Sequence, residues 1–141
     1  KRSLISFTLN IPGPVKVLPG VPEAFATGCQ RIETLLKDRL VLIQHMETIK
    51  EKTGYEAFYS VDANPDFIKE LMVSLEDQDR IGRLFDIDVL RPDGSKVSRE
   101  DMGSAPRTCL LCGQPAHVCS RSRRHSVAEL TAEIGKILSG L

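Results

Sequence analysis

The sequence predicts an α+β domain with a ferredoxin-like, split βαββαβ core. Apolar residues alternate at the period of a strand in four short segments, and they recur at the period of a helix in two longer ones. Along the chain the order is strand, helix, strand, strand, helix, strand, which is the split βαβ pattern. A doubly wound sheet is the alternative, but no glycine-rich fingerprint follows the first strand. One face of the sheet should therefore be covered by both helices and the other left open.

The first half of the core is predicted from three segments. Residues 4–9 alternate between apolar and polar side chains and should form a strand, which ends at Pro12 and Pro14. Pro22 begins a helix, because proline is favoured in the first helical turn. The apolar stripe of this helix consists of Phe25, Cys29, Ile32, Leu35 and Leu36. A second strand is expected over residues 40–46, or as far as Ile49.

The second half of the core repeats this arrangement. Residues 55–61 alternate and predict the third strand. Asn64 is expected to cap a second helix, which has the stripe Phe67, Ile68, Leu71, Met72 and Leu75. The fourth strand is predicted over residues 84–90. The turn at residues 91–94 then leads into a short hairpin that reaches Val97.

The C-terminal third extends this core. With 141 residues, the chain is long enough for one domain with a modest core. We expect a single domain over residues 1–141, in which residues 3–97 form the core and residues 98–141 a cysteine-rich loop and a terminal helix. Ser126 and Glu129 form a capping box at the start of that helix. Its apolar stripe is Val127, Leu130, Ile134, Ile137 and Leu138.

Composition excludes several classes of protein. The net charge is zero, which argues against a dedicated nucleic-acid binder. No apolar run approaches the roughly 18 residues that a membrane span needs, and residues 1–10 lack the features of a signal peptide. Three of the four cysteines cluster and Cys29 stands alone, unlike the framework of a secreted disulfide protein. These features predict a cytoplasmic protein.

Charge is unevenly distributed along the chain. Residues 62–88 carry eight acidic and three basic side chains, and residues 96–125 carry six basic and two acidic ones. An acidic segment beside a basic one suits a metal ion together with a polyphosphate. The alternative is that many of these acids lie on an exposed helix face and serve only solvation.

The fourth strand carries two carboxylates, Asp86 and Asp88, on one face, because alternate residues of a strand share a face. The opposite face carries Phe85, Ile87 and Val89. Burying an unpaired carboxylate is costly, whereas Mg²⁺ prefers one or two carboxylates together with phosphate oxygens. The pair is therefore a candidate magnesium site. The alternative is an edge strand whose aspartates are solvated or paired with Arg83 and Arg91.

A second cluster has the residue types of a zinc site. Cys109 and Cys112 have the C-x-x-C spacing, and Cys119 and His125 follow. Three thiolates and an imidazole can close a tetrahedral zinc site. The six residues between Cys112 and Cys119 are fewer than zinc fingers usually have between their ligand pairs.

Three other interpretations of the cluster stay open. Cys109 and Cys112 could be a redox-active pair, or both could be small buried residues. His125 could instead bind phosphate, because it precedes a helix N-terminus and lies near Arg121, Arg123 and Arg124.

Several short motifs follow one another in a fixed order from about Leu4 to the terminal helix. They are Asn10-Ile11-Pro12-Gly13-Pro14 with Lys16, the segment Gly82–Val89, Ser98-Arg99 with Asp101, Pro106-Arg107, Cys109-Leu110-Leu111-Cys112, Cys119 with Arg121, and His125. In this combination the chain resembles the CitX family, the citrate lyase holo-acyl-carrier-protein synthases. Several motifs in register are more specific than any one of them.

The resemblance implies a reaction and its partners. A serine hydroxyl of the citrate lyase acyl-carrier (gamma) subunit would attack triphosphoribosyl-dephospho-coenzyme A at the phosphorus next to the ribose, and pyrophosphate would leave. This is nucleotidyl-type transfer, which needs a metal to offset the charge of the phosphate chain. Neither a nucleic acid nor a membrane is expected as a partner.

The resemblance also assigns roles to residues of this sequence. Asp86 and Asp88 would hold Mg²⁺, with Arg83 as a third catalytic residue. Phosphate binding would fall to Gly13, Lys16, Arg99, Arg107 and Arg121, since guanidinium groups bind phosphate with paired hydrogen bonds and glycine allows close backbone approach.

Two functions of another class remain open. The chain could be a zinc-stapled interaction module without catalysis, or a subunit that binds the carrier protein without modifying it. A catalyst should require Mg²⁺ and Asp86, whereas a module should tolerate the loss of both.

Overall fold

A computed structural model describes residues 2–13, 15–122 and 124–140, except for the side chains of Ser120 and Arg121. Its strands are β1 (Ser3–Leu9), β2 (Ile43–Glu51), β3 (Gly54–Val61) and β4 (Phe85–Leu90). Its α-helices are α1 (Val21–Asp38), α2 (Pro65–Glu76), α3 (Ala116–Ser122) and α4 (Val127–Ser139). No helix in the described ranges combines the length and apolar character needed to cross a lipid bilayer.

The four strands form one sheet in the order β2-β3-β1-β4, and all neighbouring strands are antiparallel. This order confirms the predicted ferredoxin-like core, because each helix joins two parallel strands that have a third strand between them. Thr8 of β1 lies between Asp86 of β4 and Glu56 of β3 in the register.

The main core lies between the sheet and the helices α1 and α2. The ring of Phe7 stacks on Phe25 and meets Phe85 edge to face, in each case with ring centroids 5.3 Å apart. Helix α1 passes close to the sheet at Gly28, where a Cβ atom would lie 2.2 Å from Phe7 Cζ. Phe85, Ile87 and Val89 are buried on this side, as their alternation predicted.

A second apolar cluster holds α4 against the core. Its buried residues are Ile11, Val21, Ala24, Leu84, Ile134, Ile137 and Leu138. The predicted capping box is present: Glu129 N donates to Ser126 Oγ and Ser126 N donates to Glu129 Oε1, both at 3.0 Å. Val127, however, is 51% exposed and lies outside the buried stripe.

Side chains of α2 form hydrogen bonds with the backbone groups at the outer edge of β4. Glu76 accepts the Ile87 N–H at 2.9 Å, and Lys69 Nζ donates to Ile87 O at 3.1 Å. The predicted hairpin is short, with Val97 N donating to Val89 O at 2.9 Å. The edge is therefore closed to pairing with another strand.

Some element boundaries differ from those expected. Strand β2 begins at Ile43 rather than Leu40, because residues 39–41 end α1. Leu40 adopts φ 58° and donates to Lys37 O, while Val41 donates to Leu36 O. This is the Schellman arrangement, with leucine in the position that glycine usually takes.

Three further details were not expected. A 3₁₀ turn over Gly82–Leu84 precedes β4, so this strand begins at Phe85. Phe67 is 37% exposed and does not belong to the buried stripe of α2. Helix α3 lies within the segment that the sequence predicted as a loop.

Candidate active site and metal centre

A cleft of about 270 Å³ lies where β1 ends and β3 begins. Its polar lining consists of Thr8, Asn10, Lys16, Thr53, Glu56 and Asp86. The cleft therefore brings two carboxylates and one ammonium group to the open face of the sheet. A pocket of this kind can hold a cation and an anionic substrate together.

The two predicted metal ligands differ in their surroundings. Asp88 Oδ2 lies 3.4 Å from Lys96 Nζ. The Asp86 carboxylate is exposed and accepts no hydrogen bond and forms no ion pair with any residue in the described ranges. Neither aspartate pairs with Arg83 or Arg91, which bind other groups. Asp86 is thus available for a ligand.

The protein environment disfavours a negative charge on Asp86. Partial desolvation, and then the charges of Asp88 and Glu76, raise the pKa of Asp86 above its ordinary value, and Arg107 and Lys96 offset only part of this. A carboxylate whose pKa is raised by desolvation and by nearby negative charge is a candidate for a functional site.

Glu56 is a cleft residue that the sequence analysis did not identify. It is exposed and lies across Thr8 from Asp86. The sequence does predict the direction of its side chain. Glu56 alternates with the buried Ala57 and Tyr59, so it must point to the open face. Only the β1–β3 register shows that this places it near Asp86.

Lys16 and Gly13 lie in the loop that follows β1. Lys16 Nζ donates to Ile11 O at 2.6 Å and lines the cleft. Gly13 has φ 81°, and a Cβ atom there would lie 2.9 Å from Val127 Cγ1. Glycine is needed for this conformation, and the close approach that the structure shows is to the start of α4.

Arg107 binds the backbone of Arg83, and Arg83 binds the residues that follow Arg107. Arg107 donates from Nη1 to Phe85 O and from Nη2 to Arg83 O, both at 2.7 Å. Arg83 Nη2 lies 2.9 Å from both Thr108 O and Thr108 Oγ1, and 3.1 Å from Cys109 O. We call this reciprocal pair the arginine clamp. It fastens residues 107–109 to the start of β4.

Arg99 forms an ion pair that is almost fully buried. Its Nη2 atom lies 2.7 Å from Glu76 Oε1 and 3.1 Å from Asp77 Oδ1, and the side chains of Glu76 and Arg99 are 3% and 10% exposed. Although burial lowers the pKa of Arg99, its hydrogen bonds to both carboxylates raise it above the ordinary value. Arg121 belongs to α3, and its side chain lies outside the described residues.

The cysteine cluster comes together as one site. One ligand atom from each of Cys109, Cys112, Cys119 and His125 lies within 4.8 Å of all the others. The three cysteines are free thiols, and Cys112 Sγ lies 3.4 Å from Cys119 Sγ. The cluster could bind a metal such as zinc. Helix α3, which carries Cys119, brings the distant ligand to the C-x-x-C turn.

The thiols and the imidazole influence one another. The adjacent His125 imidazole, followed by the Gln114 backbone and Cys119, lowers the pKa of Cys112. Burial raises the pKa of Cys119, and its sulfur neighbours raise it further. His125 Nε2 is buried and has no hydrogen-bond partner within the described part of the chain.

A second cavity, of about 500 Å³, lies against this cluster. Its lining is mainly apolar and includes Leu110, Ala116, Val127 and Leu130. Val127 also contacts the loop at Gly13, so this loop lies between the apolar cavity and the polar cleft.

Comparison with known proteins supports one family throughout the chain. Residues 1–140 match the family described as "Apo-citrate lyase phosphoribosyl-dephospho-CoA transferase". A protein of Streptococcus pyogenes serotype M18 named "Probable apo-citrate lyase phosphoribosyl-dephospho-CoA transferase" is 40% identical over 141 residues, which cover 96% of this chain and 71% of that protein. A Vibrio cholerae serotype O1 protein of the same name is 38% identical over 93% of this chain and 74% of its own length.

A longer relative matches the same region. "Protein CitXG" of Leuconostoc mesenteroides subsp. cremoris is 35% identical over 96% of this chain, which corresponds to 29% of that protein. The family match over residues 1–140 spans the segments that form the cleft, the arginine clamp and the cysteine cluster. The chain therefore belongs to the apo-citrate lyase phosphoribosyl-dephospho-CoA transferase family.

Proposed function

We propose that the chain transfers a phosphoribosyl-dephospho-coenzyme A group from triphosphoribosyl-dephospho-coenzyme A to a serine of the citrate lyase acyl-carrier subunit. In this reaction the serine oxygen forms a bond to the phosphorus next to the ribose, and the bond from that phosphorus to pyrophosphate breaks. Family membership supports the reaction class. We locate the reaction in the polar cleft because its Asp86 carboxylate has no partner among the described residues and Lys16 lines the same cleft.

Mg²⁺ at Asp86 and Asp88 is the metal part of this proposal. Carboxylate oxygens are ligands that Mg²⁺ prefers, and the ion usually retains positions for water and phosphate oxygens. A cation would also offset the negative charges of Asp88 and Glu76, which, after desolvation, raise the pKa of Asp86. Bound there, it would offset charge on the departing pyrophosphate.

Glu56 is the candidate for accepting the proton of the serine hydroxyl. It is the second carboxylate of the cleft and lies across Thr8 from Asp86. A nucleophile placed between the two carboxylates would have one beside the metal site and the other free to act as a base. Glu56→Gln should then lower turnover, while carrier binding is retained.

The cationic residues divide into two groups by their contacts. The ammonium group of Lys16 uses one of its three donors on Ile11 O and can offer the others to phosphate. Arg83 uses only Nη2 for the contacts shown within the described residues. We assign phosphate contact in the cleft to Lys16, and phosphate binding by Arg83 and by the backbone at Gly13, which do not line the cleft, stays a prediction. Arg99 and Arg107 hold protein groups and would position the site, and phosphate binding by Arg121 stays a prediction.

The apolar cavity suits the less charged part of the donor. Its volume of about 500 Å³ lies within the range of small-molecule sites, and it adjoins the loop that borders the polar cleft. We propose that the donor spans both, with its phosphates in the cleft. A bulkier side chain at Leu130, such as Leu130→Phe, should raise the KM for the donor more than it lowers kcat.

The decisive experiment is direct labelling of the carrier subunit. The purified chain is incubated with apo-carrier subunit, the donor and Mg²⁺, and the intact mass of the carrier is measured. We expect a mass increase of one phosphoribosyl-dephospho-coenzyme A group together with release of pyrophosphate. Chelation of Mg²⁺ should prevent both, and Asp86→Asn should slow both strongly.

One observation favours a second candidate, a non-catalytic module held together by metal at the cysteine cluster. The same experiment separates the two. Carrier that binds the chain but gains no mass with any divalent cation would support the module and contradict the transferase.

A further inference from the structure

Three thiols and one imidazole converge beside the arginine clamp, outside the polar cleft. We propose that Cys109, Cys112, Cys119 and His125 bind one zinc ion in a closed, structural site, and that this ion fixes the arginine clamp on β4. The proposal is independent of the transfer reaction, because metal content and backbone protection test it without any substrate.

The geometry fits a tetrahedral ion with small adjustments. With Zn–S bonds of about 2.3 Å and a Zn–N bond of about 2.0 Å, neighbouring ligand atoms should lie about 3.5–3.8 Å apart. The ligand atoms lie within 4.8 Å of one another, and Cys112 Sγ is 3.4 Å from Cys119 Sγ. Four protein ligands leave no open position, which is typical of structural rather than catalytic zinc.

Groups around the cluster already orient its ligands. Leu111 N donates to Cys109 Sγ at 3.4 Å, and Gly113 turns the chain with φ 74° directly after the C-x-x-C segment. His125 Nδ1 lies 3.9 Å from Glu129 Oε2, which leaves the buried Nε2 for the ion. A carboxylate behind a metal-binding histidine is a common arrangement in zinc sites.

The cluster is connected to the clamp through the backbone. Cys109 directly follows Thr108, and the carbonyl groups of both accept hydrogen bonds from Arg83. Arg107, two residues before the first ligand, holds Phe85 O at the start of β4. An ion on Cys109 would therefore restrain residues 107–109 and, through them, β4, the strand that carries Asp86 and Asp88.

The test begins with metal content. The chain, purified without added metal under reducing conditions, should contain about one zinc per molecule by elemental analysis. After chelation, Co²⁺ should restore binding and give a tetrahedral spectrum with sulfur-to-cobalt charge-transfer bands. Cys112→Ser should lose zinc and weaken those bands. Cys29→Ser is the matched control, since Cys29 is a free thiol outside the cluster.

If Cys112→Ser does not fold, the wild-type protein and a second variant still test the proposal. The Co²⁺ titration of the wild-type protein needs no variant, and Cys112→His, which retains four ligands, should recover zinc binding. A wild-type chain that binds neither ion, even in excess and with all cluster thiols reduced, would overturn the proposal.

Amide hydrogen exchange tests the link to the clamp. Cys109 N donates to Gln114 O and Ala116 N to Arg107 O, so both amides report on the clamped segment. We expect their exchange to accelerate when zinc is removed and to slow again when it is returned. Zinc bound at one per chain with no change in these amides would show that the ion does not fix the clamp.

Discussion

Arg83 and Arg107 each bind the backbone next to the other. Arg107 Nη2 donates to Arg83 O at 2.7 Å, while Arg83 Nη2 donates to Thr108 O, the carbonyl that follows Arg107, at 2.9 Å. Each guanidinium group satisfies backbone carbonyl groups of the segment that carries the other arginine. The pair joins the start of β4 to the cysteine cluster and thus connects both candidate metal sites.

Arg107→Lys should destabilise the protein, although charge is conserved. A lysine cannot bridge Phe85 O and Arg83 O as the planar guanidinium does, and losing hydrogen bonds from a charged donor should cost about 2 kcal/mol. Urea unfolding measures this free energy. The exposed Arg124→Lys is the control, and equal unfolding midpoints for the two variants would contradict the structural importance of the clamp.

Asp86→Asn should lower the activity without unfolding the protein. Loss of one carboxylate from a magnesium site should lower the rate of carrier labelling by roughly two to three orders of magnitude, while the fold is retained. Asp38→Asn, at the exposed end of α1, should leave the rate unchanged. Labelling time courses check both variants, and near-normal labelling by Asp86→Asn would rule out this metal site.

Stability should depend on pH through Asp86. Because its pKa in the folded state is raised above 3.8, the folded protein binds the proton more tightly than the unfolded chain. Without Mg²⁺, the wild type should therefore lose stability relative to Asp86→Asn as the pH rises through the interval between 3.8 and the raised value. Melting temperatures of both proteins across this interval measure the difference.

At pH values above this interval, Mg²⁺ should restore the stability that is lost when Asp86 ionises. The ion binds the ionised carboxylate, so it should raise the melting temperature of the wild type but not that of Asp86→Asn. An identical Mg²⁺ response of the two proteins at neutral pH would place the ion elsewhere.

Glu76→Gln should be far more damaging than Asp77→Asn, although both residues bind Arg99. Glu76 is 3% exposed and Asp77 is 58% exposed. Removing the buried partner leaves a desolvated guanidinium and should cost about 3 kcal/mol or more, whereas the exposed pair should contribute less than about 1 kcal/mol. Equal losses in chemical denaturation would show that burial does not set the strength of this pair.

Two glycine substitutions in helices should have opposite signs. At Gly28 an added Cβ would lie 2.2 Å from Phe7 Cζ, whereas at Gly135 nothing lies within 4 Å. Gly28→Ala should destabilise by about 1–3 kcal/mol through overpacking, and Gly135→Ala should stabilise by up to about 1 kcal/mol through helix propensity. Thermal unfolding of both variants checks the signs, and a neutral Gly28→Ala would contradict the tight packing of α1 on β1.

Much of the fold was predictable because its signals are local. The alternation in residues 4–9 and 55–61 predicted strands, helical periodicity predicted α1 and α2, and the capping box predicted the start of α4. The same local rule put Asp86 and Asp88 on the open face. The Schellman turn at Leu40 was missed, since leucine rarely adopts the left-handed conformation that this turn requires.

The candidate sites depended on contacts that no local pattern encodes. The sequence by itself determined which residue types face the open side of the sheet, because side-chain direction follows from the strand period. Only the tertiary structure placed Glu56 across Thr8 from Asp86, since strand register depends on long-range pairing. It also decided that Arg83, Arg99 and Arg107 bind protein groups, because the partner of a long cationic side chain is whichever carboxylate or backbone carbonyl group the fold brings within its reach.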